Sequence, residues 1–192
     1  GYAVDANGKI LKDVIGDLKI DQSNLEPKTT GNISSSINLN SGKPNIDPAV
    51  TPFDPSKIDT YTDMFTTPVY DSQGNQHNMD QYVVKTGANT WKVYTLVDGR
   101  NPDATGSNPL TTPPTASTLT FDSSGNLTQV STPNPADPAN PIISSDLKLT
   151  NWKPGNVVNG NFVPNGAAAN TAGVTISMAK TTQYNADTAR SI

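Results

Sequence analysis

The stretch from Asp59 to Val97 constrains the fold most, because it concentrates β-branched and aromatic residues between clear turns. Three strand-like runs follow one another, 61–70, 77–86 and 90–97, joined by Asp71-Ser72-Gln73-Gly74-Asn75 and by Gly87-Ala88-Asn89. Runs in sequence with connections this short read as an antiparallel β-meander. In the third run Trp91, Val93, Thr95 and Val97 share one face while Lys92, Tyr94 and Leu96 share the other, so one face offers Trp and Val for burial. This stretch is expected to be the hydrophobic centre of an all-β domain.

The turn chemistry recurs. Tyr70-Asp71-Ser72-Gln73-Gly74-Asn75 is echoed by Phe121-Asp122-Ser123-Ser124-Gly125-Asn126 and, more loosely, by Val4-Asp5-Ala6-Asn7-Gly8-Lys9. The Asp side chain can accept from backbone amides two residues on, and the Gly takes φ > 0 without a Cβ clash, giving a type I turn closed by a bulge. A calcium loop also uses Asp and Gly at short spacing, but it needs six or more oxygen ligands, several of them carboxylates. Each turn here supplies one Asp and no following Glu. Asp71, Gly74, Asp122 and Gly125 are therefore read as structural turn residues, with no metal site.

Composition narrows the function classes. Only 16% of residues are charged against 33% hydrophobic, with 16 Pro and 14 Gly, a balance that favours strands and turns over long helices. A net charge of −4 with no Lys/Arg cluster argues against nucleic acid and anionic membrane surfaces as partners. The absence of Cys removes disulfides, thiol catalysis and Cys-ligated zinc. No run of 18 apolar residues and no signal-peptide pattern occurs. The abrupt start at Gly1-Tyr2 and stop at Ser191-Ile192 lead to the expectation of a piece of a larger protein.

Along the chain, residues 1–20 read as a hairpin or irregular extended chain, 21–31 as a polar connector, and 32–40 as a strand alternating Ile33, Ser35, Ile37 and Leu39. Residues 41–58 carry Pro44, Pro48, Pro52 and Pro55 and form a long loop; similar loops are expected over 98–114 and 132–141. A hairpin is expected from 118–121 and 126–130, and late strands from 146–151 and 174–178. Between those strands Val157-Val158 and Phe162-Val163 flank Asn159-Gly160, a type I′ signal. Residues 180–192 are left open between extended chain and a short helix.

The search for chemistry finds no catalytic constellation. His77 is the one histidine; Asp80 is its sequence neighbour, but an offset of three on a strand puts it on the opposite face. Asp59 with Asp63, or Asp54, are the nearest carboxylate pairs for glycoside hydrolysis, yet they lie in polar, turn-prone sequence with no sign of a desolvated acid. Trp91, Trp152, Tyr70, Tyr82 and Tyr94 offer a carbohydrate platform, but strand aromatics more often fill cores. The triplets Asn32-Ile33-Ser34 and Asn126-Leu127-Thr128 are too common by chance in such a chain to carry weight.

The ordered residues Ile37-Asn38-Leu39-Asn40-Ser41, Thr51-Pro52-Phe53, Asp59-Thr60-Tyr61, Val69 to Asn75, His77, Tyr82-Val83-Val84-Lys85-Thr86, Asn89 and Trp91 to Tyr94 resemble the bacterial flagellar hook protein family. The resemblance extends to the hairpin over 121–127 and, at the two ends, to Gly1-Tyr2 and Thr182-Gln183-Tyr184. Val83 replaces the Phe usual in that family's Tyr-Phe-Val-Lys run. Pro68 stands in a strand otherwise free of Pro, which places it at an edge or bulge.

The resemblance implies a structural subunit of the hook, the curved tube that serves motility as a universal joint between rotary motor and filament. It also implies an extracellular flagellar location and self-assembly with other copies in a helical tube. Indirect partners would be the rod, hook-cap and hook-filament junction proteins, and no catalytic residue or cofactor is implied. The implied organisation is an outer antiparallel β-barrel or sandwich over 34–181 with long Pro/Asn-rich loops. It is flanked by a partial middle-domain segment and connector (1–33) and a return segment (182–192), with the terminal polymerisation helices of the family outside this chain and the isolated piece a monomer. Pro27 and Gln183 are then expected side by side, away from Trp91. The rival reading is a secreted or surface β-sandwich binding carbohydrate or another ligand through its loops, which requires Trp91 and Trp152 to be exposed rather than buried.

Overall fold

Alternation of apolar and polar residues carries most of the chain into strands, and the computed structural model describes residues 2–4, 10–15, 27–105, 113–134 and 136–192. In order these are β1 (Tyr2–Val4), β2 (Ile10–Ile15), β3 (Asn32–Asn40), β4 (Asp63–Tyr70), β5 (Gln76–Gly87), β6 (Thr90–Val97) and β7 (Ala116–Phe121). There follow β8 (Leu127–Thr132), β9 (Ile142–Ser144), β10 (Asp146–Leu149), β11 (Gly155–Val158), β12 (Asn161–Pro164), β13 (Val174–Tyr184) and β14 (Ala189–Ser191). Among the described residues the one helical turn is a 3-10 turn at Ile58–Thr60.

The meander is the core of a six-stranded sheet in the order β4-β5-β6-β7-β8-β9, each strand antiparallel to its sequence neighbour. Pro68 lies on β4, an edge strand, facing Asn78 across the pair; the donor it lacks is one no neighbour needs. A second sheet, β10-β13-β3-β14, stacks on the first. Ile33, Ile37 and Leu39 of β3, Leu147 and Leu149 of β10, and Val174, Ile176 and Met178 of β13 share one core with Val69, Met79, Val83, Trp91, Val93, Leu119, Phe121 and Val130. Each large side chain fully withdrawn from water there contributes about 2 kcal/mol. The edges β4 and β9 do not pair with each other, so the fold is a sandwich and not a closed barrel.

Three expectations are corrected. The face of β6 bearing Tyr94 and Leu96 is buried as fully as the Trp91 face, because the Pro-rich loop over 41–58 folds across it. Phe53 from that loop stacks on Tyr94 at 4.2 Å and meets Tyr82 edge-on at 5.1 Å, and Ile46 donates its amide to the Lys85 carbonyl. Secondly, β3 and β13 are parallel, from Asn32 beside Thr175 to Asn40 beside Tyr184, in an otherwise antiparallel architecture. Thirdly, that pairing separates Pro27 from Gln183. Pro27 lies beside the 71–75 turn at one end of β5, close to where a Gly74 side chain would project. Gln183 lies at the other end, bonded to Trp91 and to the Ala88-Asn89 turn. The expected side-by-side arrangement fails, and the chain turns back only at β14, antiparallel to β3.

The expected division at 181/182 falls inside β13, which runs unbroken to Tyr184. Residues 2–4 and 10–15 pair antiparallel, and residues 5–9 of the turn expected between them lie outside the described residues. Asn159 and Gly160 both have positive φ, 49° and 78°, as the type I′ link between β11 and β12 requires.

Candidate functional site

Four segments converge on Asp71, and local sequence explains the first of them. Asp71 Oδ1 accepts from the Gln73 and Asn75 amides, both at 2.9 Å, Gly74 donates its amide to the Asp71 carbonyl at 3.1 Å, and Gly74 sits at φ 81°. Asp122 repeats the pattern: Oδ1 takes the Ser124 and Asn126 amides at 2.9 Å, and Gly125 sits at φ 83°. Both are type I turns closed by a glycine bulge, and in both the amides at positions three and five are satisfied by the same carboxylate oxygen.

Beyond the backbone the two turns differ. Asp122 is half-buried in side-chain terms and bonds only within its own turn. Asp71 is fully buried, and its Oδ2 receives Asn165 Nδ2 at 2.8 Å, Asn75 Nδ2 at 3.0 Å and the His77 Nε2 side of the ring at 3.2 Å. The opposite ring nitrogen, His77 Nδ1, lies 2.6 Å from Asp98 Oδ2, and Asp98 Oδ1 accepts the Asn78 amide at 2.9 Å. Trp152 packs edge-on to the imidazole at 5.3 Å. Ser72 Oγ accepts the Ala168 amide at 2.8 Å, so the segment after β12 is held to this turn twice. Burial pushes the Asp71 carboxyl up, but the hydrogen bonds from Asn75, Asn165 and His77 outweigh it and hold the group well below the usual carboxylate range.

A polar recess beside this cluster is lined by Gln73, Gln76, His77, Asp98, Asn156 and Asn165. A general base must offer a ring nitrogen to substrate; here each nitrogen of His77 faces a carboxylate, and among the described residues no hydroxyl bonds the ring. What the cluster can do is tie β4, β5, the turn after β6 and the segment after β12 together. Asp80, on the face that carries Tyr82, accepts from Thr66 Oγ1 at 2.6 Å, and burial pushes its carboxyl up; no local sequence pattern marks that desolvated acid.

The remaining sequence candidates separate. Asp54 accepts from the Ser56 amide at 3.0 Å and Ser56 Oγ at 2.6 Å, which lower its carboxyl rather than raise it, and Asp63 accepts from Thr188 at 2.8 Å. Trp91 and Trp152 are both fully buried, so they form no exposed coplanar pair. Tyr82 and Tyr94 are covered by Phe53, leaving Tyr70 as the exposed member of the expected platform. The residues missed from sequence are Asp98, 21 positions from His77, and Asn165, 94 positions from Asp71. Neither distance leaves a local signal.

Comparison with known proteins gives consistent findings. Residues 38–191 match the family described as the flagellar basal body protein FlaE D2 domain. The chain is 42% identical over 110 residues to the flagellar hook protein of Escherichia coli (strain K12) and 45% identical over 111 residues to that of Salmonella typhimurium (strain LT2). Each alignment covers 57% of this chain and 25% of the relative, so the chain spans about a quarter of the curated relatives it matches.

Proposed function

Because this chain belongs to the flagellar basal body protein FlaE D2 domain family, we propose that it is the outer β-domain of a hook subunit, acting by packing against other copies in the extracellular tube that couples motor to filament. The observation that carries this reading is the family match over 38–191, which runs from the end of β3 through β14. The site chemistry agrees with it: His77, the one residue that sequence offered as a base, is engaged with Asp71 and Asp98 and helps hold loops in place. On this reading Asp71, Gly74, Asp122 and Gly125 are structural residues of the turns and of the packing around them, and rod, cap and junction proteins are met only through the rest of the subunit. The packed unit also runs on through β14 rather than ending at 181, since β13 and β14 both bond to β3. The ligand-binding alternative lacks its aromatic platform, because both tryptophans are buried.

The test is location. Antibodies raised against this chain and applied to hook-basal bodies isolated from the encoding bacterium are expected to decorate the curved segment below the filament. Decoration of the filament, or of the cell envelope alone, counts against the assignment.

A further inference from the structure

The second sheet holds two strands on β3 in mechanically opposite ways. β13 is parallel to β3, so Gly31, just before β3, and Tyr184, at the end of β13, lie at opposite ends of the pair. Tension between those ends runs along the strands and loads their hydrogen bonds together. β14 is antiparallel to β3 and pairs through three residues, Ala189 with Asn38, Arg190 with Ile37 and Ser191 with Ser36. Its exit therefore points back toward the start of β3, and tension between Gly31 and Ile192 loads its bonds one after another.

The docking of β14 also carries a cost at its centre. The Arg190 Nε and both terminal nitrogens are buried with no hydrogen-bond partner among the described residues, and the guanidinium rests over the Phe65 ring at 5.6 Å. A buried charge without a partner opposes docking, and a cation–π contact offsets that only in part. The entry to β14 is held through the Thr188 side chain, whose Oγ1 donates to Asp63 Oδ2 at 2.8 Å and accepts the Asn40 amide at 3.3 Å. By contrast, β13 is locked at its far end, where Gln183 bonds Trp91 Nε1 at 2.9 Å, Asn89 Oδ1 at 2.7 Å and the Gly125 carbonyl at 2.8 Å.

We propose that β14 is a release strap: under tension between the approach to β3 and the residue after β14 it peels away first, and extension then stops against the sheared β3–β13 pair. The eight residues Asn185 to Ile192 would pay out on the order of 20 Å before the stop is reached. This device follows from the strand pairing alone and stands or falls independently of the hook assignment.

The chain has no Cys, so single-molecule handles can be attached at introduced pairs. Gly31→Cys is suitable because a side chain there meets nothing within 4 Å, and Ala186→Cys and Ile192→Cys stand at exposed positions. Pulling the 31/192 pair is expected to give a low-force extension followed by a rupture at several-fold higher force, and the 31/186 pair the high-force rupture alone. A single rupture at one common force for both pairs overturns the proposal. Arg190→Leu in the 31/192 background is expected to raise the force of the first event; a fall would show that the guanidinium anchors the strand and would overturn the proposal. Hydrogen exchange on the unaltered chain provides the check free of variants. The Ala189 amide, which faces Asn38 of β3, is expected to exchange many-fold faster than that of Gln183, and equal protection contradicts the strap.

Discussion

The turns at Asp71 and Asp122 share an Asp-x-x-Gly sequence, the same pair of capped amides at 2.9 Å, and glycine φ values of 81° and 83°. Around them the molecule differs. Asp71 is buried beneath His77, Asn165 and the segment after β12, whereas Asp122 faces outward and bonds only within its turn. The glycines reverse that order: a side chain at Gly125 would lie 2.5 Å from the Gln183 carbonyl, while one at Gly74 would lie 3.2 Å from the Pro27 ring. Local sequence dictates a turn, and tertiary packing decides which of its atoms matters.

The largest effect expected from this contrast is at Asp71. Asp71→Ala removes the cap from two amides and leaves half-buried Asn165 and buried His77 without their shared partner, a loss of about 3 kcal/mol. Asp122→Ala, whose partners can turn to water, is expected to shift the denaturation midpoint much less. Paired urea melts measure both, and equal shifts would break the comparison.

At the glycines the order inverts. Gly125→Ala meets the backbone of β13 as well as the left-handed penalty and is expected to cost about 2 kcal/mol or more. Gly74→Ala meets the edge of a proline ring and should lose about 1 kcal/mol; Gly74→Val loses at least as much. Thermal melts of these variants decide the ranking.

Acid sharpens the contrast further. Asp71 is held below its unfolded value of 3.8, so its contribution is fully present above that pH and is lost as pH falls below it toward the folded value. Asp71→Asn is therefore expected to flatten the stability profile below about pH 4. Asp122 is also lowered, chiefly by the Asn126 amide, but it stays open to water on one side, and Asp122→Asn should change the profile little. The smallest effect is that of calcium: with one carboxylate in each turn, millimolar calcium should leave the melting temperature unchanged, and a calcium-dependent rise would contradict the structural reading of both.

Much of the local architecture was legible because it rests on neighbours in sequence. The meander, the 116–132 hairpin and the Asn159-Gly160 link all follow from period-two alternation interrupted by turn residues. The prolines over 41–58 mark a loop but not a cover, since nothing in them tells that Phe53 will stack on Tyr94. The parallel β3–β13 pair joins Ile33 to Ile176 across most of the chain, and non-local pairing of that kind leaves no turn signature. Its consequence, the wide separation of Pro27 and Gln183, was missed for the same reason. Sequence proximity offers His77 only Asp80, whereas its partners Asp71 and Asp98 arrive by a turn closure and a cross-strand loop.

The central claim is that Asp71, unlike its twin, is tied to the rest of the molecule through His77, and a pair of double-mutant cycles tests it directly. Combining Asp71→Ala with His77→Ala should give a non-additive loss, with a coupling of about 1–2 kcal/mol, because the two variants remove one shared contact. Combining Asp122→Ala with His77→Ala should give a simple sum. Additivity in both cycles, or an equal coupling in both, would contradict the account.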